Sequence, residues 1–389
     1  MTTKITNGKV IADGKLLDSN VYFENGKITA VTKEDLPCDT VIDASGKYVS
    51  AGFIDMHTHG AGGCDFLDNT EEAFFTAARV HAEHGATTIV PTITSGSNES
   101  MTNAIKTFDS LKNKPHSGAN MPGLHLEGPY FAMSQKGAQD ERFVRDFDPE
   151  EYEAILSSSD SVLRWSGAPE KNGAKEFGEY LRKKGVLAAI GHSDADSICV
   201  REAFENGFTH VTHLYSCTSI VHRKNAFRYA GIVEAAYLID DMTVEIIGDG
   251  IHLPQDLLKL IYKIKGRDHI ALITDCMRGA GMGDGESILG GLKDGMKVVI
   301  EDGVAKLLDR SAFAGSVCLC DRLVRTVRDL MEIPTEEAVY MATKTPARIM
   351  GFDTKGDIKE GLDADIVIFD ENIVIDKTII NGITVYEHD

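Results

Sequence analysis

The chain has 389 residues, of which 42% are hydrophobic and 26% are charged, proportions typical of an ordinary globular protein. Its 40 Lys and Arg residues against 60 Asp and Glu residues give a formal net charge of -20 at pH 7. This charge argues against a nucleic-acid partner, whose phosphates need compensating Lys and Arg side chains. Because the sequence has neither a run of 18 apolar residues nor a signal peptide, we expect a cytoplasmic protein without a membrane partner.

Short strands are predicted at both ends of the chain. Five apolar stretches between residues 4 and 42 are separated by dipeptides that favour hairpin turns. These dipeptides are Asn7-Gly8, Asp13-Gly14 and Asn25-Gly26. Residues 364–370 and 377–386 have the same strand-like character. Because the N-terminal strands alone make a thin sheet, we expect residues 1–50 and 351–389 to form one small β-domain together.

The segment between the two ends, residues 51–350, alternates apolar strands with helical stretches. This alternation is typical of βα units and a parallel sheet. Eight strands are predicted, near residues 53–57, 87–92, 123–127, 163–167, 186–192, 210–213, 244–249 and 270–275. Eight such strands predict a closed (β/α)8 barrel, in which the catalytic residues lie at the carboxyl ends of the strands.

Side chains of metal-ligand type stand at the ends of these strands. His57 and His59 end the first strand, and because residues i and i+2 share a face, both imidazoles project in the same direction. The later strand-end residues are Glu127, His192, His213 and Asp275, on the third, fifth, sixth and eighth strands. Each alone could be a turn residue or a helix cap, but their recurrence predicts a site for Zn²⁺ or a similar divalent ion.

Five motifs resemble those of the amidohydrolase superfamily. They are Gly52-Phe53-Ile54-Asp55-Met56-His57-Thr58-His59-Gly60, Leu124-His125-Leu126-Glu127-Gly128-Pro129-Tyr130, Gly191-His192-Ser193, Thr212-His213-Leu214-Tyr215, and Thr274-Asp275 followed by Met277. Within this superfamily the chain is most similar to the N-acetylglucosamine-6-phosphate deacetylases. The resemblance covers nearly the whole sequence. It implies a (β/α)8 barrel with a β-sandwich formed by both chain termini, in a homodimer.

The resemblance implies a metal-dependent hydrolase whose small-molecule substrate is an N-acetylated amino sugar phosphate. It would convert N-acetylglucosamine 6-phosphate to glucosamine 6-phosphate and acetate. Glu127, His192 and His213 would hold the principal ion, and His57 with His59 would complete a second position. One or two ions would therefore bind per subunit, with Zn²⁺ expected and Fe²⁺ or another divalent ion as the alternative.

The same resemblance assigns the remaining functional residues. Asp275 would act as the catalytic base and acid, taking a proton from water and delivering it to the departing amine. His252 would contact the substrate, and Arg223 would bind its phosphate. The other residues expected to bind substrate are Ser216, Cys217, Ala138, Phe313, Ala314 and Gly315.

The sequence departs from the deacetylase pattern after the sixth strand. Relatives carry Asn-Ala-Met and then His-Arg-Glu-Pro-Gly, whereas this chain has Ser216-Cys217-Thr218 and a longer segment that begins at His222. Gln139 also stands where relatives commonly have His. The alternative substrates are therefore N-acetylgalactosamine 6-phosphate or an unphosphorylated N-acyl sugar. A non-catalytic scaffold of this superfamily would be expected to have lost metal ligands, and this sequence retains all of them.

Overall fold

A computed structural model describes residues 1–388 of the chain. A parallel eight-stranded sheet forms its centre, and we number the strands of this sheet β1 to β8. They are Phe53–Thr58 (β1), Ala86–Thr94 (β2), Leu124–Glu127 (β3), Val162–Gly167 (β4), Leu187–Ile190 (β5), Phe208–Val211 (β6), Thr243–Ile247 (β7) and Ile270–Ile273 (β8). All eight coincide with strands predicted from the sequence.

The sheet curves so that its first and last strands meet. Each strand pairs in parallel with the next strand of the chain, from β1 to β8. Beyond β8, the Asp275 N–H donates to the His57 carbonyl oxygen at 2.9 Å. The Thr274 hydroxyl donates to the Asp55 carboxylate on β1. These bonds nearly close the sheet, so the predicted (β/α)8 barrel is confirmed.

Helices pack against the barrel. Their bounds are Glu71–Glu83, Asn98–Leu111, Pro149–Ser158, Ala174–Lys184, Ser197–Glu205, Ile232–Leu238, Gln255–Lys265, Cys320–Met331, Thr335–Ala342 and Lys344–Met350. Thr70 caps the N-terminus of the first helix, because its hydroxyl accepts the Ala73 N–H, and the Phe74 and Ala77 side chains of this helix are buried. Within residues 1–388, none of the helices combines the length and the apolar character that crossing a membrane requires.

Strands from both chain ends form two sheets that share a buried core. One sheet contains Thr3–Thr6, Asn20–Glu24, Lys27–Thr32 and Thr40–Asp43. The other contains Lys9–Ala12, Lys15–Asp18, Tyr48–Ala51, Ile366–Phe369, Ile375–Ile380 and Ile383–Glu387. Ile5 and Val21 of the first sheet lie in one cluster with Val49, Ile366 and Ile379 of the second. The predicted β-sandwich built from both termini is therefore confirmed.

Three antiparallel elements were not predicted from the sequence. A two-stranded pair, Gly60–Ala61 with Cys64–Asp65, follows β1, and an exposed hairpin of His222–Lys224 and Phe227–Tyr229 follows β6. A four-stranded sheet follows β8 and consists of Gly285–Leu289, Met296–Glu301, Val304–Leu307 and Phe313–Ser316. The Ser316 N–H donates to the Asp275 carbonyl oxygen at 2.8 Å. This bond brings the last strand of the insertion to the carboxyl end of the barrel.

Candidate metal centre and active site

The carboxylate of Glu127, at the end of β3, lies at the centre of the predicted ligands. Its Oε1 atom is 3.0 Å from His213 Nε2 and 3.3 Å from His192 Nε2. The same oxygen is 3.5 Å from His57 Nε2, and the other oxygen, Oε2, is 3.4 Å from His59 Nε2. Four imidazole nitrogens from three strand ends thus converge on one carboxylate.

Asp275 faces the same space from the end of β8. Its Oδ1 atom is 3.2 Å from His59 Nε2 and 3.4 Å from His57 Nε2. Two adjoining groups of ligand atoms result, and within each group the atoms lie less than 4.8 Å apart. One group is Glu127, His192 and His213, and the other is His57, His59 and Asp275. All six side chains are buried.

Hydrogen bonds at Nδ1 fix the tautomer of three of these histidines. His192 and His213 donate from Nδ1 to backbone carbonyl oxygens at 2.8 and 3.1 Å. A carbonyl oxygen can only accept, so the proton lies on Nδ1 in both rings. His57 likewise donates from Nδ1 to Glu245 Oε1 at 2.7 Å. In the neutral form of each ring, the remaining lone pair is therefore at Nε2, the atom that faces the shared space and can bind a metal ion.

A divalent cation fits this arrangement better than hydrogen bonds alone. The Nε2 atom of His57 is buried and has no hydrogen-bond partner. Its distances of 3.4 and 3.5 Å to Asp275 and Glu127 lie beyond the usual hydrogen-bond range. Imidazole nitrogens together with carboxylates form a ligand set typical of Zn²⁺ or Fe²⁺. The residues therefore fit one or two such ions.

The carboxylates and imidazoles also shift one another's protonation. Burial favours a higher pKa for the Glu127 carboxyl, but the influence of His57 and hydrogen bonds with the other histidines holds this pKa well below its usual range. Burial favours a lower pKa for His59, but its hydrogen bonds to Asp275 and Glu127 raise that pKa well above the usual value. Burial likewise opposes protonation of His213, and its hydrogen bond to Glu127 raises the pKa. Without a metal ion, the centre therefore retains protons.

A buried ion pair inside the barrel orients His57. Arg164 on β4 and Glu245 on β7 are fully buried and bonded to each other. Burial favours a higher pKa for the Glu245 carboxyl, but the Arg164 charge and His57 hold this pKa well below its usual range. Glu245 is therefore ionised and accepts a hydrogen bond from the Nδ1–H group of His57. The sequence analysis missed both residues, although a charged residue within an apolar strand is the signal that marks them.

Gln139 connects Glu127 to β2. Its Nε2 donates to Glu127 Oε2 at 2.9 Å, and its Oε1 accepts from the Thr94 hydroxyl at 2.8 Å. The Ser95 N–H also donates to Gln139 Oε1, at 3.1 Å. Gln139, noted in the sequence as a departure from the deacetylase pattern, thus fixes the orientation of the central carboxylate.

A cavity of about 320 Å³ opens at these ligands, and we call it the catalytic cavity. Six of the predicted substrate-binding residues line it, namely Ala138, Ser216, Cys217, His252, Phe313 and Gly315. His252 bonds through Nδ1 to Asp249 Oδ2 at 2.7 Å, and its ring centre is 4.7 Å from that of Phe313. Asp249, which the sequence analysis did not assign, therefore orients His252.

Two predicted substrate-binding residues, Ala314 and Arg223, do not line the catalytic cavity. Ala314 alternates with Phe313 and Gly315 along one strand, so its side chain faces the opposite side, where it is buried in an apolar cluster. Arg223 lies exposed on the hairpin after β6. The predicted contact of Ala314 was through its backbone, and the substrate-binding roles of both residues stay predictions.

The amidohydrolase family model matches residues 48–385. The chain belongs to the amidohydrolase family. Amidohydrolases are metal-dependent enzymes, and each of the two ligand groups in this chain could hold a metal ion. The resemblance seen in the sequence motifs is thereby confirmed.

Relatives with high coverage include two sugar-phosphate deacetylases. The N-acetylglucosamine-6-phosphate deacetylase of Lysinibacillus sphaericus is 32% identical over 385 residues, which cover 96% of this chain and 95% of that protein. The N-acetylgalactosamine-6-phosphate deacetylase of Escherichia coli O157:H7 is 30% identical over 372 residues, which cover 95% of each. A solved structure is also similar: a mutant N-acetyl-D-glucosamine-6-phosphate deacetylase from Mycobacterium smegmatis in complex with N-acetyl-D-glucosamine-6-phosphate. It shares 27% identity, with a TM-score of 0.90 and 99% coverage of both chains.

Loading the metal-free protein with Zn²⁺ at pH 7 should release protons. The pKa of His59, raised well above its usual value, keeps this ring protonated, and the pKa of His213 is shifted in the same direction. A protonated ring must lose its Nε2 proton to bind the ion. Because protons compete below these pKa values, we expect the apparent affinity to rise with pH and to level off above them. Calorimetric titrations in two buffers of different ionisation enthalpy measure the protons released. A His222→Asn control, on the exposed hairpin, should release the same number, whereas identical heats in both buffers would contradict the account.

Proposed function

We propose that the protein is a metal-dependent deacetylase and that N-acetylglucosamine 6-phosphate is its substrate. The observation that carries this proposal is the convergence of four imidazole nitrogens on Glu127 in the wall of the catalytic cavity, with the Asp275 carboxylate beside His57 and His59. The names of the relatives support the substrate class. The products would be glucosamine 6-phosphate and acetate.

The ligand groups suggest how metal ions would be held. Glu127, His192 and His213 would bind the principal ion, and His57 with His59 would complete a second position. We propose Zn²⁺, with Fe²⁺ as the alternative, at one or two ions per subunit. When bound, such an ion polarises the amide carbonyl and lowers the pKa of a water molecule towards neutrality.

Asp275 would transfer the protons of the reaction. Burial favours a higher pKa for its carboxyl, but the influence of His57 and the hydrogen bond to His59 lower this pKa, so the group is ionised at neutral pH. The carboxylate can therefore accept a proton as water adds to the acyl carbon. It would return that proton to the amide nitrogen as the C–N bond breaks. The amine then leaves in its neutral form.

The walls of the catalytic cavity would position the sugar. His252, held by Asp249, would contact the substrate beside the acyl group. Ser216 and Cys217 would approach the sugar from the loop after β6, and Ala138 from the loop after β3. The insertion after β8 would complete the wall with Phe313, Ala314 and Gly315, of which Ala314 would contribute only its backbone.

We further infer a cytoplasmic homodimer with no nucleic-acid or membrane partner. Residues 51–350 would form its catalytic barrel domain, and residues 1–50 and 351–389 its β-sandwich domain. Asp389, the last residue of this second segment, lies outside the described part of the chain.

Activity on N-acetylglucosamine 6-phosphate tests the proposal, and Asp275→Asn tests the proton transfer. This variant should keep the fold and the bound metal but lose about 10² to 10⁴ in kcat, the usual scale of general acid and base assistance. Acetate release and metal content are the two measurements. Asp284→Asn, at an exposed position after β8, is the matched control and should turn over at the wild-type rate. Near-normal turnover by Asp275→Asn would rule out the proposed role.

The hairpin after β6 differs from the deacetylase pattern. The hairpin nevertheless concentrates positive charge, with Arg223 facing Arg228 and Lys224 beside it, on a chain of net charge -20. Phosphate recognition needs such charge-assisted donors nearby. N-Acetylgalactosamine 6-phosphate is the alternative substrate, supported by the name of the Escherichia coli relative.

Arg223→Ala should lower kcat/KM for the phosphorylated sugar roughly ten- to hundredfold, because a charge-assisted bond of about 1.5 to 3 kcal/mol is lost. The unphosphorylated sugar should be affected much less. Steady-state kinetics on both sugars make the comparison, and Arg201→Ala, on an exposed helix position, serves as the control for lost charge. Equal losses on both sugars would mean that Arg223 does not bind phosphate.

A further inference from the structure

A second cavity adjoins the catalytic cavity and is about twice as large, with a volume of about 630 Å³ against about 320 Å³. Thr94, Ala138 and Leu289 line both cavities and form the boundary between them. The smaller cavity is near the lower limit of ordinary ligand pockets, about 300 Å³, and suits a single sugar. The larger cavity leaves room for a second group of that size beside the reacting sugar.

The lining of the second cavity is rich in groups that can bond to hydroxyls. Its hydroxyl and amide side chains are Asn69, Thr70, Thr94, Ser95, Ser97, Ser100 and Asn103. Such groups donate and accept hydrogen bonds, as the hydroxyls of a sugar do. Leu67 and Phe143 add apolar surface, against which the C–H face of a sugar ring can pack. This mixture of groups is suited to a polyhydroxylated ring.

The charge of the second cavity excludes a phosphate. Its lining includes the carboxylates Asp68, Glu72, Glu99, Asp140 and Asp294, against one cationic side chain, Lys293. Asp68 is bonded to Arg278, and Asp140 to Arg142. Carboxylates accept hydrogen bonds from hydroxyl groups, but their negative charge repels an anion. The occupant must therefore be neutral or cationic, and the phosphate of the substrate must lie on the other side of the catalytic cavity.

Thr94, at the boundary between the two cavities, is connected to the metal centre by hydrogen bonds. Thr94 donates to Gln139, and Gln139 donates to the central carboxylate of Glu127. A ligand that spans the boundary would therefore pass close to the metal ligands, where the acetamide must lie. An extension attached to the sugar near its acetamide, at the anomeric carbon, would have the shortest path into the second cavity.

We propose that the second cavity is a subsite for a neutral sugar ring joined to the anomeric carbon of the sugar that is deacetylated. The substrate class then includes disaccharides whose non-reducing ring is an N-acetylated amino sugar 6-phosphate. The inference rests on the proposed deacetylase function and extends it. The chemistry is unchanged, because water adds to the acyl carbon, the C–N bond breaks, and acetate leaves the amine of the disaccharide.

The test compares two substrates. One is N-acetylglucosamine 6-phosphate, and the other is the same unit β-1,4-linked to a second N-acetylglucosamine. We expect kcat/KM for the disaccharide to equal or exceed that for the monosaccharide. Asn103→Trp, which places a large side chain on an exposed lining position, should lower the disaccharide value at least about tenfold and leave the monosaccharide value unchanged. Lys106→Trp, one turn further along the same helix and outside the lining, should change neither value.

The possible outcomes separate the two proposals. Turnover of the monosaccharide but not of the disaccharide would overturn the subsite and leave the deacetylase function intact. Equal losses on both substrates in Asn103→Trp would also overturn the subsite. Should that variant fail to fold, Glu72→Trp, on the neighbouring helix, blocks the cavity from another wall and must give the same selective loss. If the wild-type protein turned over neither substrate, the proposed deacetylase function itself would be contradicted.

Discussion

The catalytic end of the barrel is stable only if the negative charge of the buried Glu127 carboxylate is compensated. This group is only 2% exposed, and a buried carboxylate is costly unless positive charge or hydrogen bonds compensate it. Compensation comes from four histidines at the end of β1 and on the loops after β5 and β6, which approach within 3.0 to 3.5 Å. Because these strands are distant in sequence, the compensation exists only when the barrel has closed. The same requirement thus couples the fold to the metal centre.

Two further layers of polar groups hold this arrangement in place. Inside the barrel, Arg164 keeps Glu245 ionised, and Glu245 in turn fixes the tautomer of His57. Beside the catalytic cavity, Gln139 bonds to Glu127 and to Thr94, which also borders the second cavity. Substitutions of residues in either layer should therefore weaken metal binding, although these residues do not themselves bind the ion. Outer hydrogen-bond partners of metal ligands commonly act in this way.

Local sequence patterns were sufficient to predict the barrel and to single out the six side chains that meet at its catalytic end. Each strand is an apolar run, and polar residues such as Glu127 and Asp275 stand where the run ends. The insertion after β8 escaped prediction because its strands mix polar and apolar residues and meet the barrel through contacts between separate segments, such as that of Ser316 with Asp275. The supporting roles of Arg164 and Gln139 depend on contacts between distant segments, which spacing along the chain cannot reveal.

Metal analysis of the purified protein tests the central claim most directly. The account predicts at least one equivalent of Zn²⁺ or Fe²⁺ per chain in active wild-type protein. It also predicts that Glu127→Gln, which removes the shared negative charge and leaves a side chain of nearly the same shape, loses both the ion and the activity. An active wild-type sample without a transition metal, or a Glu127→Gln variant with full metal content, would contradict the account.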